Sequence, residues 1–268
     1  MAELSKDFKF KKQFGQNFIL DKNFMNALVR DFNLPSNCSV LEIGAGAGVL
    51  TEVLANSFEK VVSFEIDKTL TEHLQKIESE HQNLKFVFKD VLSVETNEID
   101  DFFDKNFYLI ANLPYYITSQ IIFKFLFESK KLSQMFVMVQ KEVGVRFCAK
   151  HSTKDYGIPT VLIDSFGSCK IVKNVSRTVF KPVPNVDSCI IKIEVDKNKF
   201  DIKNEKKYIE FVSNCFKMKR KTLYNNLSSN GYDKTKIIES IKELGLPETV
   251  RPENLTAEMF VNLFNKLN

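Results

Sequence analysis

The chain has 268 residues, 44% apolar and 27% charged, which allows a substantial core and argues against global disorder. Its formal net charge is +4, its five cysteines lie far apart with no C-x-x-C pair, and no apolar run is long enough to span a bilayer. A zinc site, a disulfide framework and a membrane protein are therefore not expected. The opening residues, MAELSKDFKFKKQ, lack the apolar stretch of a secretory signal, so the chain is expected to be cytoplasmic and reduced.

In chain order, apolar and β-branched runs at 39–44, 60–67, 84–90, 107–113 and 134–140 read as strands. Runs with helical spacing at 49–58, 68–80 and 119–129 lie between them. This alternation predicts parallel βαβ units and an α/β fold with a doubly wound, Rossmann-like sheet. Two later strands, 169–175 and 188–195, are separated by a proline-containing stretch too short for a helix, which predicts an antiparallel pair added at one edge. Beyond Val195 the texture turns polar, and what remains reads as helices near 205–217, 219–228, 234–243 and 256–267. The expected division is a ligand-binding catalytic domain over 1–196 and a small all-helical domain over 197–268.

Charge is uneven across that division. From Lys197 onward there are 14 Lys and Arg against 9 Asp and Glu, while the remainder holds 24 against 25. A smaller basic cluster contains Lys9, Lys11 and Lys12. Charge alone favours a solvated lysine-rich surface, with a polyanion partner as the alternative.

The first strand closes in LEIGAGAG (41–48), with Gly44, Gly46 and Gly48 letting the backbone turn tightly beside a ligand. A dinucleotide loop starting at Gly44 would need glycine at 49, where this chain has Val49. The second strand ends in Glu65, 21 residues after Gly44, at a distance that suits a ribose diol. The third ends in Asp90, placed to accept from an adenine amino group. Either acid alone would read as an ordinary strand end; with the glycine loop they outline a nucleotide pocket. The E-x-G-x-G-x-G pattern resembles that of S-adenosylmethionine-dependent methyltransferases.

The fourth strand runs into NLPYYIT (112–118). An exocyclic adenine amine is a poor nucleophile because its lone pair is delocalised into the ring. The Asn112 side-chain oxygen and a backbone carbonyl can accept its hydrogens and favour a pyramidal nitrogen. Pro114 stiffens the turn, and Tyr115 offers a face for an extruded base. In-line methyl transfer then needs positioning and electrostatics, with neither a strong base nor a metal. Tyr116 reads as a packing residue. Phe180 alone would read as core.

NLPYYIT resembles the N-[LI]-P-Y-x-I-[ST] motif of the rRNA adenine N6,N6-dimethyltransferase family. KKQFGQNFILD (11–21), LEIGAGAGVLT (41–51), QKEVGVRFCAK (140–150), DYGIPTVL (155–162) and FKPVPNVDS (180–188) resemble further blocks of that family. KRKTLYNNL (219–227) and RPENLTAEMF (251–260) resemble its small-subunit branch. The resemblance implies cofactor contacts from Asn17, Ile19, Gly44, Glu65, Asp90 and Asn112. It implies target-base contacts from Asn112, Leu113 and Tyr115, with Phe180 covering the base's other face. The sequence departs from the pattern at Ala45, Ile19 and Lys89, where proline, leucine and glycine are usual.

In that setting Lys11, Lys12 and the cluster Lys217, Lys219, Arg220 and Lys221 read as phosphate contacts. The implied activity is dimethylation of two adjacent adenosines near the 3′ end of 16S rRNA in the assembling small ribosomal subunit, by a monomer using S-adenosylmethionine. Two rivals stand beside it, a large-subunit enzyme of the macrolide-resistance type and a non-catalytic assembly or transcription factor on the same fold. A small-molecule methyltransferase would leave the basic helical domain unexplained.

Overall fold

The computed structural model describes residues 18–114 and 116–267. Its strands are β1 (Phe18–Ile19), β2 (Ser39–Ile43), β3 (Lys60–Phe64), β4 (Leu84–Val87), β5 (Phe107–Asn112), β6 (Leu132–Gln140), β7 (Gly167–Val175), β8 (Phe180–Lys181) and β9 (Ser188–Val195). Its α-helices are α1 (Lys22–Asp31), α2 (Val49–Ser57), α3 (Thr71–Glu80), α4 (Thr96–Asp100), α5 (Thr118–Glu128), α6 (Lys141–Phe147), α7 (Ile158–Ser165), α8 (Glu205–Cys215), α9 (Leu223–Ser229), α10 (Lys234–Glu243) and α11 (Ala257–Leu267). Among the described residues, no helix is long and apolar enough to cross a membrane.

Seven strands form one sheet in the order β4-β3-β2-β5-β6-β9-β7. Strands β2 to β6 pair in parallel, and β9 runs antiparallel to β6. Successive residues Val40 and Leu41 of β2 are both fully buried, as required of a parallel strand covered on both faces. Helices α1, α2 and α3 cover one face of the sheet, which packs Val40, Val61, Ile110 and Phe136 into one cluster with Leu28, Leu54 and Leu74 from the helices. Helices α4 and α5 pack against one another outside that cluster. The chain order reverses at β2, between β3 and β5, which is where doubly wound sheets open a crevice at their carboxyl ends. The two late strands lie side by side at the expected edge.

Three features were not anticipated. Strand β1 pairs antiparallel with β8, Ile19 opposite Phe180. Helix α1 begins at Asp21, whose carboxylate accepts from the amides of Asn23 and Phe24 at 2.9 and 3.0 Å, an ordinary N-cap. Helices α6 and α7 occupy the segment between the sheet's parallel part and β7.

The described residues divide into two compact units, one running to residue 141 and including 171–194, the other of 142–170 with those from 195 onward. The second crossing falls beside the boundary expected at residue 197. The segment 142–170 does not follow that expectation, because its contacts are with the C-terminal helices. The Tyr208 hydroxyl of α8 is 2.7 Å from the Ser165 hydroxyl of α7, and the Tyr156 hydroxyl donates to the Leu255 carbonyl at 2.8 Å. Tyr208, Phe211 and Phe264 pack ring against ring in the core of this unit.

Candidate active site

Strand register builds the site. Ile43 of β2 lies opposite Phe64 of β3 and Ala111 of β5. The next residues along these three strands are Gly44, Glu65 and Asn112, so one row across the carboxyl edge carries a glycine, a carboxylate and an amide. Beyond them lies a cleft of about 200 Å³, whose walls include Gly44, Glu65, Asp90, Asn112 and Leu113. That volume is several times what one water requires.

The glycine loop is shaped for close approach. Gly44, Gly46 and Gly48 have φ of 82°, 55° and 79°, in the left-handed region. A Cβ on Gly46 would lie 2.8 Å from the Phe18 ring, so a side chain there would force that ring to move. The Gly46 amide donates to Glu65 Oε2 at 2.8 Å, and the Asp67 amide donates to Oε1 at 2.8 Å. His73 Nε2 reaches the Ala47 carbonyl at 3.0 Å and braces the same loop. Glu65 is 6% exposed, and burial raises its carboxyl above the usual range against the lowering effect of those amides.

Below the loop lies a carboxyl that spacing alone did not single out. Glu42 is fully buried, and its Oε2 accepts from Thr51 Oγ1 at 2.6 Å and Ser63 Oγ at 2.5 Å. Its Oε1 has no hydrogen-bond partner among the described residues. Burial pushes the Glu42 carboxyl up to about 7, with the Glu65 charge adding to the rise. The motif letter E at 42 was the available signal; its burial depends on the strand's outer neighbours.

Asp90 caps a short turn over Val91–Ser93, its Oδ1 accepting from the Leu92 amide at 2.9 Å. Asn112 ends β5 opposite Met138 of β6. Leu113 is 2% exposed yet lines the cleft, and Ile19 lines it at 3%. After Pro114 the chain turns at once, the Ile117 amide and the Thr118 hydroxyl both donating to the Pro114 carbonyl at 3.2 and 3.1 Å.

Two side chains differ from expectation. Phe180 is 1% exposed and packs in the core cluster with Ile19, Val175 and Ile190; it is not part of the cleft wall. Its backbone pairs with Ile19 across β1 and β8. Tyr116 does not pack. It is 64% exposed and lines the cleft. The residues Lys11, Lys12, Asn17 and Tyr115 lie outside those described.

In the second unit, Lys217, Lys219, Arg220 and Lys221 are all exposed, in the loop between α8 and α9. The buried Asn226 side chain holds that loop. Its Oδ1 accepts from the Met218 amide at 2.7 Å, and its Nδ2 donates to the carbonyls of Met218 and Thr222 at 3.2 and 3.1 Å. The second asparagine of KRKTLYNNL thus shapes the loop that presents the four cations.

Residues 7–268 match the family model described as ribosomal RNA adenine dimethylase. A protein of Caldanaerobacter subterraneus subsp. tengcongensis named ribosomal RNA small subunit methyltransferase A is 42% identical, over 97% of each chain. One of the same name from Bacillus mycoides is 40% identical, over 97% of this chain and 92% of its own. Among solved structures, a dimethyladenosine transferase from Plasmodium falciparum is similar with a TM-score of 0.78 and 26% identity, over 92% of this chain and 95% of that one. The 23S rRNA methyltransferase ErmE is similar with a TM-score of 0.70 and 26% identity, over 94% and 99%. With a match spanning nearly its whole length and a glycine loop, strand-end acids and N-L-P turn meeting in one cleft, the chain belongs to the ribosomal RNA adenine dimethylase family of S-adenosylmethionine-dependent methyltransferases.

Proposed function

We propose that this enzyme places two methyl groups on N6 of each of two adjacent adenosines near the 3′ end of 16S rRNA, in the assembling small ribosomal subunit, as a cytoplasmic monomer. The observation that carries the chemistry is the row Gly44, Glu65 and Asn112 at one edge of the sheet. The choice of subunit rests on the relatives of 40–42% identity named for the small subunit, against 26% for the 23S enzyme.

The cleft suits S-adenosylmethionine, since a Gly46 Cβ would crowd its wall and a buried carboxylate faces it. When bound, that cofactor supplies an electrophilic methyl group on a sulfonium. Glu65 retains lone pairs beyond those used by Gly46 and Asp67, and these accept the ribose hydroxyls. Asp90 accepts from the adenine amino group. Gly44 permits close backbone approach, and Asn17 and Ile19 cover the cofactor.

Asn112 and the Leu113 carbonyl accept the two N6 hydrogens of the target. Their acceptance weakens delocalisation of the nitrogen lone pair and orients it. Pro114 keeps the turn stiff, and Tyr115 supplies the stacking face. Lys11, Lys12, Lys217, Lys219, Arg220 and Lys221 take phosphates of the RNA.

Mass mapping of 16S rRNA from cells with and without this gene tests the assignment. Loss of two neighbouring dimethyladenosines near the 3′ end is the expected result. An unchanged 16S map with a lost 23S modification, or macrolide resistance on expression in a sensitive host, would move the activity to the large subunit. Labelled cofactor that transfers no methyl group to either rRNA would point to the non-catalytic reading.

A further inference from the structure

Tyr116 is more exposed than any other large apolar side chain described, at 64%, and it stands on the lip of the catalytic cleft. Its ring makes no aromatic contact or hydrogen bond with another described residue. The backbone on either side is nevertheless held, because the Pro114 carbonyl accepts from both the Ile117 amide and the Thr118 hydroxyl. The fold therefore fixes where this ring starts and leaves most of the residue exposed. A ring so exposed contributes little to the core, and its place on the cleft wall offers it to a bound substrate.

The sheet order says which partner. Glu65 and Asp90 follow β3 and β4, on one side of β2, whereas Tyr116 follows β5 on the other. The ring thus belongs to the end of the cleft marked by Asn112 rather than to the end marked by the two acids. Turning an adenosine into that end strips its strand neighbour of a stacking partner, at a cost of a few kcal/mol. A free aromatic face at the lip can restore that contact, and such stacking tolerates any base.

We propose that Tyr116 stacks on the nucleobase adjacent to the reacting adenosine and so positions the substrate strand. This rests on the reading of the protein as an rRNA adenine methyltransferase.

The test uses the full chain and a short RNA with two adjacent adenosines, one replaced by fluorescent 2-aminopurine. Wild-type protein and Tyr116→Phe should quench the probe, and Tyr116→Ala should not. On small subunits lacking the modification, Tyr116→Ala should raise KM roughly tenfold or more with kcat little changed, and Tyr116→Phe should restore it. Cofactor affinity and Tm should stay at wild-type values in both variants. Equal quenching by Tyr116→Ala, no quenching by the wild type, or a loss of cofactor affinity in place of the KM effect would each overturn the assignment. Wild-type methylation of the subunit is scored separately, so a wrong substrate assignment shows there and not in the variants.

Discussion

Glu65 and Gly46, 19 residues apart, are joined by a 2.8 Å hydrogen bond from the glycine amide to the carboxylate, which ties the loop after β2 to the end of β3. The acid proposed to take the ribose hydroxyls therefore also holds the loop in its left-handed conformation. Glu65→Ala should weaken S-adenosylmethionine binding by ~1.5–3 kcal/mol through the lost charged acceptor. Glu65→Gln, which keeps one oxygen for the Gly46 amide, should lose less. Calorimetry on the purified variants measures both, and wild-type affinity in Glu65→Ala would remove the residue from the cofactor site.

Glu42 should make stability depend on pH. Its folded carboxyl titrates near 7 against an ordinary 4.5, so the folded state holds the proton to higher pH than the unfolded chain. The associated stability is fully present below about pH 4.5 and is lost as pH rises through about 7, by about 3 kcal/mol in all. Glu42→Gln carries no titrating proton. It should therefore gain on the wild type between pH 5 and pH 8, as read by denaturant unfolding. Parallel pH profiles for the two proteins would contradict this account of Glu42.

The loop carrying Lys217, Lys219, Arg220 and Lys221 allows charge to be separated from shape. Neutralising all four should flatten the salt dependence of RNA affinity, leaving cofactor affinity and Tm unchanged. Asn226→Ala keeps every charge but strips the Met218 amide of its acceptor, at a cost of ~1–3 kcal/mol in stability. It should lower both Tm and RNA affinity. A wild-type salt slope after neutralisation would return the cluster to a solvated surface.

Much of the first unit could be read from residues alone, because each strand of the parallel sheet is a short apolar run bounded by a loop. The row of Gly44, Glu65 and Asn112 was legible for the same reason, each standing where an apolar run stops. What escaped depends on partners distant in sequence. Strand β1 is two residues long and exists only because Phe180 and Lys181 lie opposite it. The segment 142–170 carries no sign of which unit it will join until Ser165 meets Tyr208. Phe180 and Tyr116 were each assigned by residue type and motif. Tyr116, expected to pack, is 64% exposed, and Phe180 is 1% exposed, because neighbours across the fold decide exposure.

The most direct test of the central claim is single-turnover methyl transfer from labelled S-adenosylmethionine to small subunits lacking the modification, with wild type and Asn112→Ala compared. Asn112 is assigned an interaction that strengthens as the amine becomes pyramidal. Its removal should slow transfer ~100-fold or more while the cofactor and the subunit still bind. The wild type should leave two methyl groups on each of two adjacent adenosines of 16S rRNA. Transfer by Asn112→Ala at the wild-type rate, or label confined to other positions, would contradict the account.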